Sequence, residues 1–151
     1  VDKGITDANN MGAAMAPAAY DTIQIHLQET GRTPDFYDCI VTGDLGQLGQ
    51  EIVREFFRED GIELGQRYAD GGVLLFDPNA QDVHAGASGC GCSAIVLAGY
   101  LLQQMAAKKY RHILFCGTGA LHSPLSMMQG ESIPGICHAV AISRRKEQEH
   151  E

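Results

Sequence analysis

The chain begins with a polar stretch and then changes to an apolar pattern with helical spacing. Ala19, Ile23 and Leu27 recur on one helix face, with glutamines on the outside. Pro17 suits a first helical turn, and Gly31 is a typical stop signal. The pattern predicts a first helix from about Pro17 to Gly31, preceded by about ten irregular residues.

Shorter apolar runs predict buried strands that alternate with helices. Runs at 39–41, 73–76, 112–116 and 139–142 have strand length, and polar turn residues follow the first three. Between the first two runs, an amphipathic stretch ending near Arg58 indicates a second helix. Its apolar positions are Leu45, Leu48, Ile52, Val53 and Phe56.

The segment 84–94 is rich in glycine and small residues and leads into the longest mainly apolar stretch of the chain. We predict a glycine-rich turn followed by a helix from about Ser88 to Lys108, buried on more than one side because it is apolar nearly all round. The turn has two interpretations. It binds an anion through the N–H groups of the helix start, or it only allows close packing of a helix on a sheet.

Alternating strands and helices predict an α/β fold with a mixed, mostly parallel sheet, whose last two strands are antiparallel because no helix separates them. Ligands of such sheets bind beyond the carboxyl ends of the strands. Asp44, the turn at His84 and the loop after Cys116 all follow predicted strands. We expect these segments to meet at one edge of the sheet.

Composition and charge narrow the range of partners. A length of 151 residues suits about one domain, and no run of about 18 apolar residues is present to span a membrane. The net charge of −8 argues against a nucleic-acid surface and disfavours a bare anionic ligand unless a cation accompanies it. The chain starts at Val1, with neither an initiator Met nor a signal-peptide pattern, so we expect a fragment of a longer protein.

The number and surroundings of the cysteines do not indicate a disulfide framework. Five are present, an odd number, and most lie in apolar surroundings that suit buried thiols. Cys90 and Cys92 could join His84 in a zinc site, but C-x-C spacing is poor for structural zinc and no second C-x-x-C pair follows. We therefore predict no metal site formed by the protein alone.

Several motifs resemble known proteins. The segment 86–89, Gly-Ala-Ser-Gly, resembles the G-A-S-G segment of thiolases, and 116–119, Cys-Gly-Thr-Gly, resembles the loop with their second catalytic cysteine. Together, the segments 11–19, 41–46, 84–94 and 131–135 resemble the stage V sporulation protein AD family, thiolase-like proteins of spore-forming Firmicutes. The resemblance extends to about Arg144.

The resemblance implies a thiolase-like half with the order βαβαβαββ, lacking its first strand, which would lie just upstream of Val1. Residues 1–144 would form the C-terminal half of the fold, and 145–151 a charged, disordered tail. The nucleophilic cysteine of true thiolases belongs to the other half. His84 is about one residue out of register with the thiolase His-Pro pair, and Asp44 stands near the histidine position of condensing enzymes. These departures predict a protein without catalytic residues.

Family resemblance implies binding of dipicolinic acid, as the calcium chelate, and its uptake into the developing spore. The expected partners are the N-terminal half of the same protein and membrane proteins of the same spore operon, and the expected location is peripheral, at the inner spore membrane. No cofactor is expected, apart from calcium arriving with dipicolinate. The candidate ligand-binding residues are Asp44, His84, Gly86, Ser88, Gly89, Cys116 and His122.

Two alternatives stay open at this point. The first is an acyltransferase or condensing enzyme acting on CoA or carrier-protein thioesters, with Cys116 as acid or base and His84 polarising the carbonyl. The second is a purely structural partner in a membrane complex. Cys116 could equally be a buried strand thiol, and each histidine an ordinary loop residue.

Overall fold

The computed structural model describes residues 1–7, 9–76, 80–81, 83, 86–89 and 91–145. Helices and strands alternate along much of this part of the chain, as predicted for an α/β protein. The helices are α1 Met11–Thr30, α2 Gly46–Glu59, α3 Gly71–Leu74, α4 Cys92–Val96, α5 Leu102–Ala106 and α6 Pro124–Met128, with a π-helical turn, Leu97–Leu101, between α4 and α5. The strands are β1 Cys39–Thr42, β2 Tyr68–Asp70, β3 His112–Ala120 and β4 Gly135–Ser143.

The described strands form one mixed sheet in the order β2-β1-β3-β4. β1 is parallel to both β2 and β3, and β3 is antiparallel to β4, which confirms the mostly parallel sheet and its antiparallel last pair. In the register, Thr42 at the end of β1 stands beside Asp70 on one side and Cys116 on the other. The carboxyl ends of β1 and β2 therefore lie at the same edge of the sheet.

Helices cover both faces of the sheet. On one face, α1 and α2 enclose a core that includes Ile40, Leu114 and Cys116 of the strands. On the other face, the helical segment 92–106 packs on alternate strand residues, including Val41 and Ile113. This alternation follows from the two-residue period of a strand, which points successive side chains to opposite faces.

The first helix begins earlier than predicted. It starts at Met11, because the side chain of Asn10 caps it by accepting a hydrogen bond from the Ala13 N–H group. Pro17 lies inside the helix and costs one backbone hydrogen bond, which the cap and the buried alanine-rich face outweigh. Gly31 ends the helix in the left-handed conformation, as expected.

The prediction of a strand at 73–76 is wrong. The second strand along the chain is instead β2, Tyr68–Asp70, at the edge of the sheet beside β1, and the chain then turns into the short helix α3. Asp70 causes this turn by accepting a hydrogen bond from the Gly72 N–H group as an N-cap. Leu74 and Phe76 are consequently exposed on the surface instead of buried in the sheet.

The helix after the glycine-rich turn starts at Cys92 and not at Ser88, and it is buried on one side only. Its buried residues Val96, Leu101 and Met105 pack on the sheet, and the buried Cys92 donates a hydrogen bond from its thiol to the Gly43 carbonyl just after β1. The other side leaves Ile95, Tyr100 and Leu102 with 58%, 40% and 43% of their surface exposed. The expected burial on several sides is therefore wrong for this chain, because no described element covers that outer face.

The C-terminal part has more regular structure than predicted. β3 and β4 are longer than the apolar runs that indicated them, and α6 occupies part of the predicted polar loop. Across the described residues, none of the helices combines the length and apolar character needed to cross a bilayer. The turn predicted at 77–79 and most of the predicted tail, 146–151, lie outside the described residues.

Candidate functional site

Three segments meet at the carboxyl ends of the strands around the Asp44 side chain. Asp44 follows β1, and its Oδ2 accepts a hydrogen bond of 2.9 Å from the Gly89 N–H group in the glycine-rich turn. Its Oδ1 accepts one of 3.0 Å from the Thr118 hydroxyl in β3. The Asp44 N–H group in turn donates to Thr118 Oγ1. The half-buried carboxylate thus joins three chain segments that are distant in sequence.

A second carboxylate, Asp70, lies at the end of the neighbouring strand β2 and is fully buried. It accepts hydrogen bonds from the Thr42 hydroxyl at 2.7 Å and from the Gly72 N–H group at 2.9 Å. The N–H groups of Leu45 and Gly46, where α2 begins, donate to it at 2.9 Å each. Burial raises the pKa of Asp70, and these hydrogen bonds oppose the rise by favouring the charged form.

Glycines allow the glycine-rich turn to lie directly against α3. Gly86 has a φ of +105°, and a Cβ atom there would stand 2.6 Å from the Gly72 carbonyl oxygen. A Cβ atom on Gly72 would stand 2.2 Å from the Ala87 carbonyl oxygen. Only glycine fits these two positions without moving the backbone, so close packing explains Gly86 in full.

Most N–H groups of the turn already donate hydrogen bonds within the protein. Gly86 donates to the Val83 carbonyl, Ala87 to the Gly72 carbonyl and Gly89 to Asp44. In the described segment 86–89, Ser88 alone donates no backbone hydrogen bond to another described residue. The sequence predicted a turn with several N–H groups available to an anion, and the structure differs because these donors bind neighbouring segments.

Cys116 lies in the middle of β3 and not at its end. Its side chain is completely buried against the α1 side of the sheet. Its thiol donates a hydrogen bond to Cys137 on β4, which together with burial raises the Cys116 pKa well above the usual range of a thiol. The same hydrogen bond lowers the pKa of Cys137. Cys116 is thus a core thiol, kept apart from the Asp44 cluster.

The predicted histidines do not join the cluster in the described part of the chain. His122 is exposed in the connection after β3, and among the described residues no hydrogen bond or ring contact links it to Asp44 or Gly89. His84 lies outside the described residues. Of the predicted site residues, Asp44 and Gly89 are in direct contact, with Gly86 and Ser88 in the same turn.

Sequence reasoning missed Asp70 and Thr118, which position the cluster. Asp70 was missed because the strand was expected at 73–76, five residues after the start of β2, although Asp-Gly-Gly after an apolar pair is a cap signal. Thr118 stands in the segment that resembles the thiolase cysteine loop, which drew attention to Cys116 instead. No sequence signal pairs Thr118 with Asp44, because that contact depends on the register of β1 and β3.

Comparison with known proteins confirms the family resemblance that the sequence motifs indicated. The family model for stage V sporulation protein AD matches residues 1–143. The stage V sporulation protein AD of Bacillus subtilis (strain 168) is 46% identical over 143 residues, covering 95% of this chain and 42% of that protein. The chain therefore spans less than half the length of this relative. On the family match and on this identity, the chain belongs to the stage V sporulation protein AD family.

Proposed function

We propose that this chain forms part of a non-catalytic protein that binds dipicolinic acid as its calcium chelate and serves its uptake into the developing spore. Membership of a sporulation protein family supports a role in spore formation. The observation that carries the proposal is the Asp44 cluster, which puts a carboxylate and a half-exposed glycine turn at the sheet edge where ligands of α/β proteins bind.

The charge at this edge favours a chelate over bare dipicolinate. Asp44 would repel a dianion, and the net charge of −8 adds to that repulsion. Calcium prefers oxygen ligands and can bridge Asp44 to the carboxylates of dipicolinate. The described residues contain no group of three or more His, Cys, Asp or Glu side chains suited to a metal ion. Calcium is therefore cargo, with most of its ligands supplied by dipicolinate and water.

The surroundings of Cys116 support a role without catalysis. A thiol acts as a nucleophile or base only as the thiolate, in contact with the substrate. Cys116 is completely buried, and its raised pKa favours the protonated thiol. In the described part of the chain, its hydrogen-bond partner is Cys137 and not an imidazole. A thioester at the strand ends would not reach this sulfur.

The exposed outer face of segment 92–106 supports the N-terminal half of the protein as a partner. Ile95, Tyr100 and Leu102 form an apolar surface that water would otherwise cover. The Bacillus subtilis relative has ample further chain to cover it, because the match includes 42% of that protein. Membrane proteins of the same spore operon would then hold the assembled protein at the inner spore membrane.

Calorimetric titration of the chain tests this function. We expect heat of binding with dipicolinate in the presence of calcium and much weaker binding without it. Acetyl-CoA should give no binding, and acetoacetyl-CoA should undergo no thiolysis. Thiolysis that disappears in Cys116→Ser would establish the enzyme instead. Absence of binding to every ligand, in this chain and in a longer form with the N-terminal half, would favour a purely structural partner.

A further inference from the structure

Positive charge gathers at the amino ends of β1 and β3, the edge of the sheet opposite Asp44. The chain carries 19 acidic residues and only 11 lysines and arginines, yet six of these cations lie in segments that meet at this edge. They follow the ends of α1, α5 and β4. We call this set the basic edge, and its members are Arg32, Lys108, Lys109, Arg111, Arg144 and Arg145.

Backbone and ring contacts join the three segments of the basic edge. Arg144 donates its N–H group to the Arg111 carbonyl at 2.9 Å, which ties the end of β4 to the start of β3. The guanidinium carbon of Arg32 lies 4.2 Å from the centre of the Phe36 ring. The Phe36 ring in turn lies 4.4 Å from the ring of His112, the first residue of β3. The three segments therefore form one continuous surface.

The basic edge is poorly neutralised by the carboxylates of the chain itself. Arg67, by comparison, forms an ion pair with Asp35 at 3.2 Å. The side chains of Lys109, Arg111 and Arg145 are exposed, and no ion pair joins them to a carboxylate in the described part of the chain. Like charges that stay this close repel one another, so a surface of unpaired cations indicates a negatively charged partner.

Two arginines of this surface are held in position, which favours carboxylate groups as their ligands. Arg32 donates to the Tyr37 hydroxyl at 3.0 Å and stacks on Phe36, so its guanidinium group has a fixed orientation. Arg144 is half-buried, and its Nε–H group has no acceptor among the described residues. A positioned guanidinium group binds a carboxylate through two parallel hydrogen bonds. A partner rich in carboxylates therefore suits the basic edge.

Acidic residues beside the basic edge limit the width of the partner. Glu59, Asp60 and Glu63 are exposed in the stretch that leads from α2 to the amino end of β2, at the same end of the sheet. A flat anionic bilayer would face these carboxylates together with the cations, and they would repel it within a Debye length of about 8 Å. A narrow acidic segment can contact the cations alone. The charges therefore favour a short peptide segment over a membrane surface.

We propose that the basic edge is the docking site of a short acidic segment of a partner protein, whose Asp and Glu side chains pair with its arginines. Arg32, Arg111 and Arg144 would offer guanidinium groups from three neighbouring segments, and the remaining cations would add longer-range attraction. The surface lies at the opposite edge of the sheet from Asp44. The docking therefore does not depend on the ligand proposed for the Asp44 cluster.

Fluorescence anisotropy with a labelled peptide of eight glutamates tests this docking. The parent chain should bind the probe at low salt, and binding should weaken as salt is added because the contact is exposed. Lys109→Glu combined with Arg111→Glu should weaken binding about tenfold or more. Both side chains are exposed, so the double variant should keep the urea midpoint of the parent chain. Arg145→Glu alone should weaken binding about threefold or more, without any change in β3.

The matched control is Lys3→Glu combined with Arg58→Glu, which reverses two charges away from the basic edge. This control should bind the probe within about twofold of the parent chain, because only the net charge has changed. No binding by the parent chain, or equal weakening in the double variant and its control, would overturn the proposal. Co-sedimentation with phosphatidylglycerol vesicles that the double variant abolishes would also overturn it, because the edge would then be a membrane surface.

Two further forms of the protein show whether another part of the same protein occupies the edge. A form without residues 147–151, which contain three glutamates, should bind the probe as the parent chain does. Binding by this form alone would assign the edge to the acidic tail and overturn the proposal. A longer form with the N-terminal half should also keep the binding. Its loss there would assign the edge to that half and would equally overturn the proposal.

Discussion

Asp44 and Asp70 lie at neighbouring strand ends, and their surroundings give them different roles. Asp70 is fully buried and accepts four hydrogen bonds from the starts of α2 and α3 and from β1. Asp44 is half-buried, and its carboxylate holds the glycine-rich turn to β3. Asp70 therefore shapes the strand ends, while Asp44 holds a half-buried carboxylate at the edge where we propose that the ligand binds.

Replacing Asp70 should destabilise the whole fold. Asp70→Asn keeps the size of the side chain but points an NH₂ group at backbone N–H donors that need an acceptor. We expect a loss of about 2–4 kcal/mol in the free energy of unfolding, measured by urea denaturation. Asp44→Asn is the matched control and should cost about 1 kcal/mol or less, since that group is partly hydrated. Equal losses in the two variants would contradict the assigned roles.

His26 should make stability depend on pH. Tyr37 accepts a hydrogen bond from Arg32, and its own hydroxyl can donate to His26 Nε2 when that ring is neutral. Burial, and next the Arg32 charge, lower the His26 pKa below 6.5, while Glu29 opposes the change. The neutral ring therefore contributes stability fully above about pH 6.5, and this contribution is lost as the pH falls through the lowered pKa.

His26→Gln checks this dependence, because a glutamine oxygen can accept from Tyr37 without titrating. Urea unfolding at about pH 7.5 and pH 5.5 should show a larger loss of stability for the parent chain than for the variant. Parallel losses in both proteins would show that other groups cause the pH dependence.

At the scale of elements, the segment 92–106 is divided into a buried side and an exposed side. Its composition predicted burial all round, and the sequence contains no sign of which side faces the sheet, since both are apolar. The strand predicted at 73–76 failed for a related reason. Periodicity cannot separate a short buried strand from an exposed apolar turn, and the cap at Asp70 decided between them.

Neighbouring leucines in this segment provide a matched test. Leu101 is completely buried against β1 and β3, while Leu102 is 43% exposed. Leu101→Ala should lower the free energy of unfolding by about 2–4 kcal/mol, and Leu102→Ala should change it by about 0.5 kcal/mol or less. Urea denaturation of both variants measures the difference. A cost for Leu102→Ala as large as that for Leu101→Ala would contradict the one-sided burial.

At the scale of the molecule, the sequence predicted the architecture well and the site less well. Alternating patterns were enough for the α/β class and the antiparallel last pair, because each element carries its own periodicity. The contacts of Asp44 depend on how β1, β3 and the turn align, which a single sequence does not encode locally. The apolar run placed Cys116 at the end of its strand. In the structure, β3 continues to Ala120, so Cys116 lies in the middle of the strand.

Calorimetry with calcium dipicolinate on Asp44→Asn tests the central claim most directly. Asp21→Asn is the control, because it removes the same charge from an exposed position on α1. If the Asp44 cluster binds the chelate, Asp44→Asn should weaken binding by about tenfold or more, which corresponds to about 1.4 kcal/mol, while Asp21→Asn keeps the affinity of the parent chain. Equal affinity in all three proteins, or equal weakening in both variants, would contradict a binding site at Asp44.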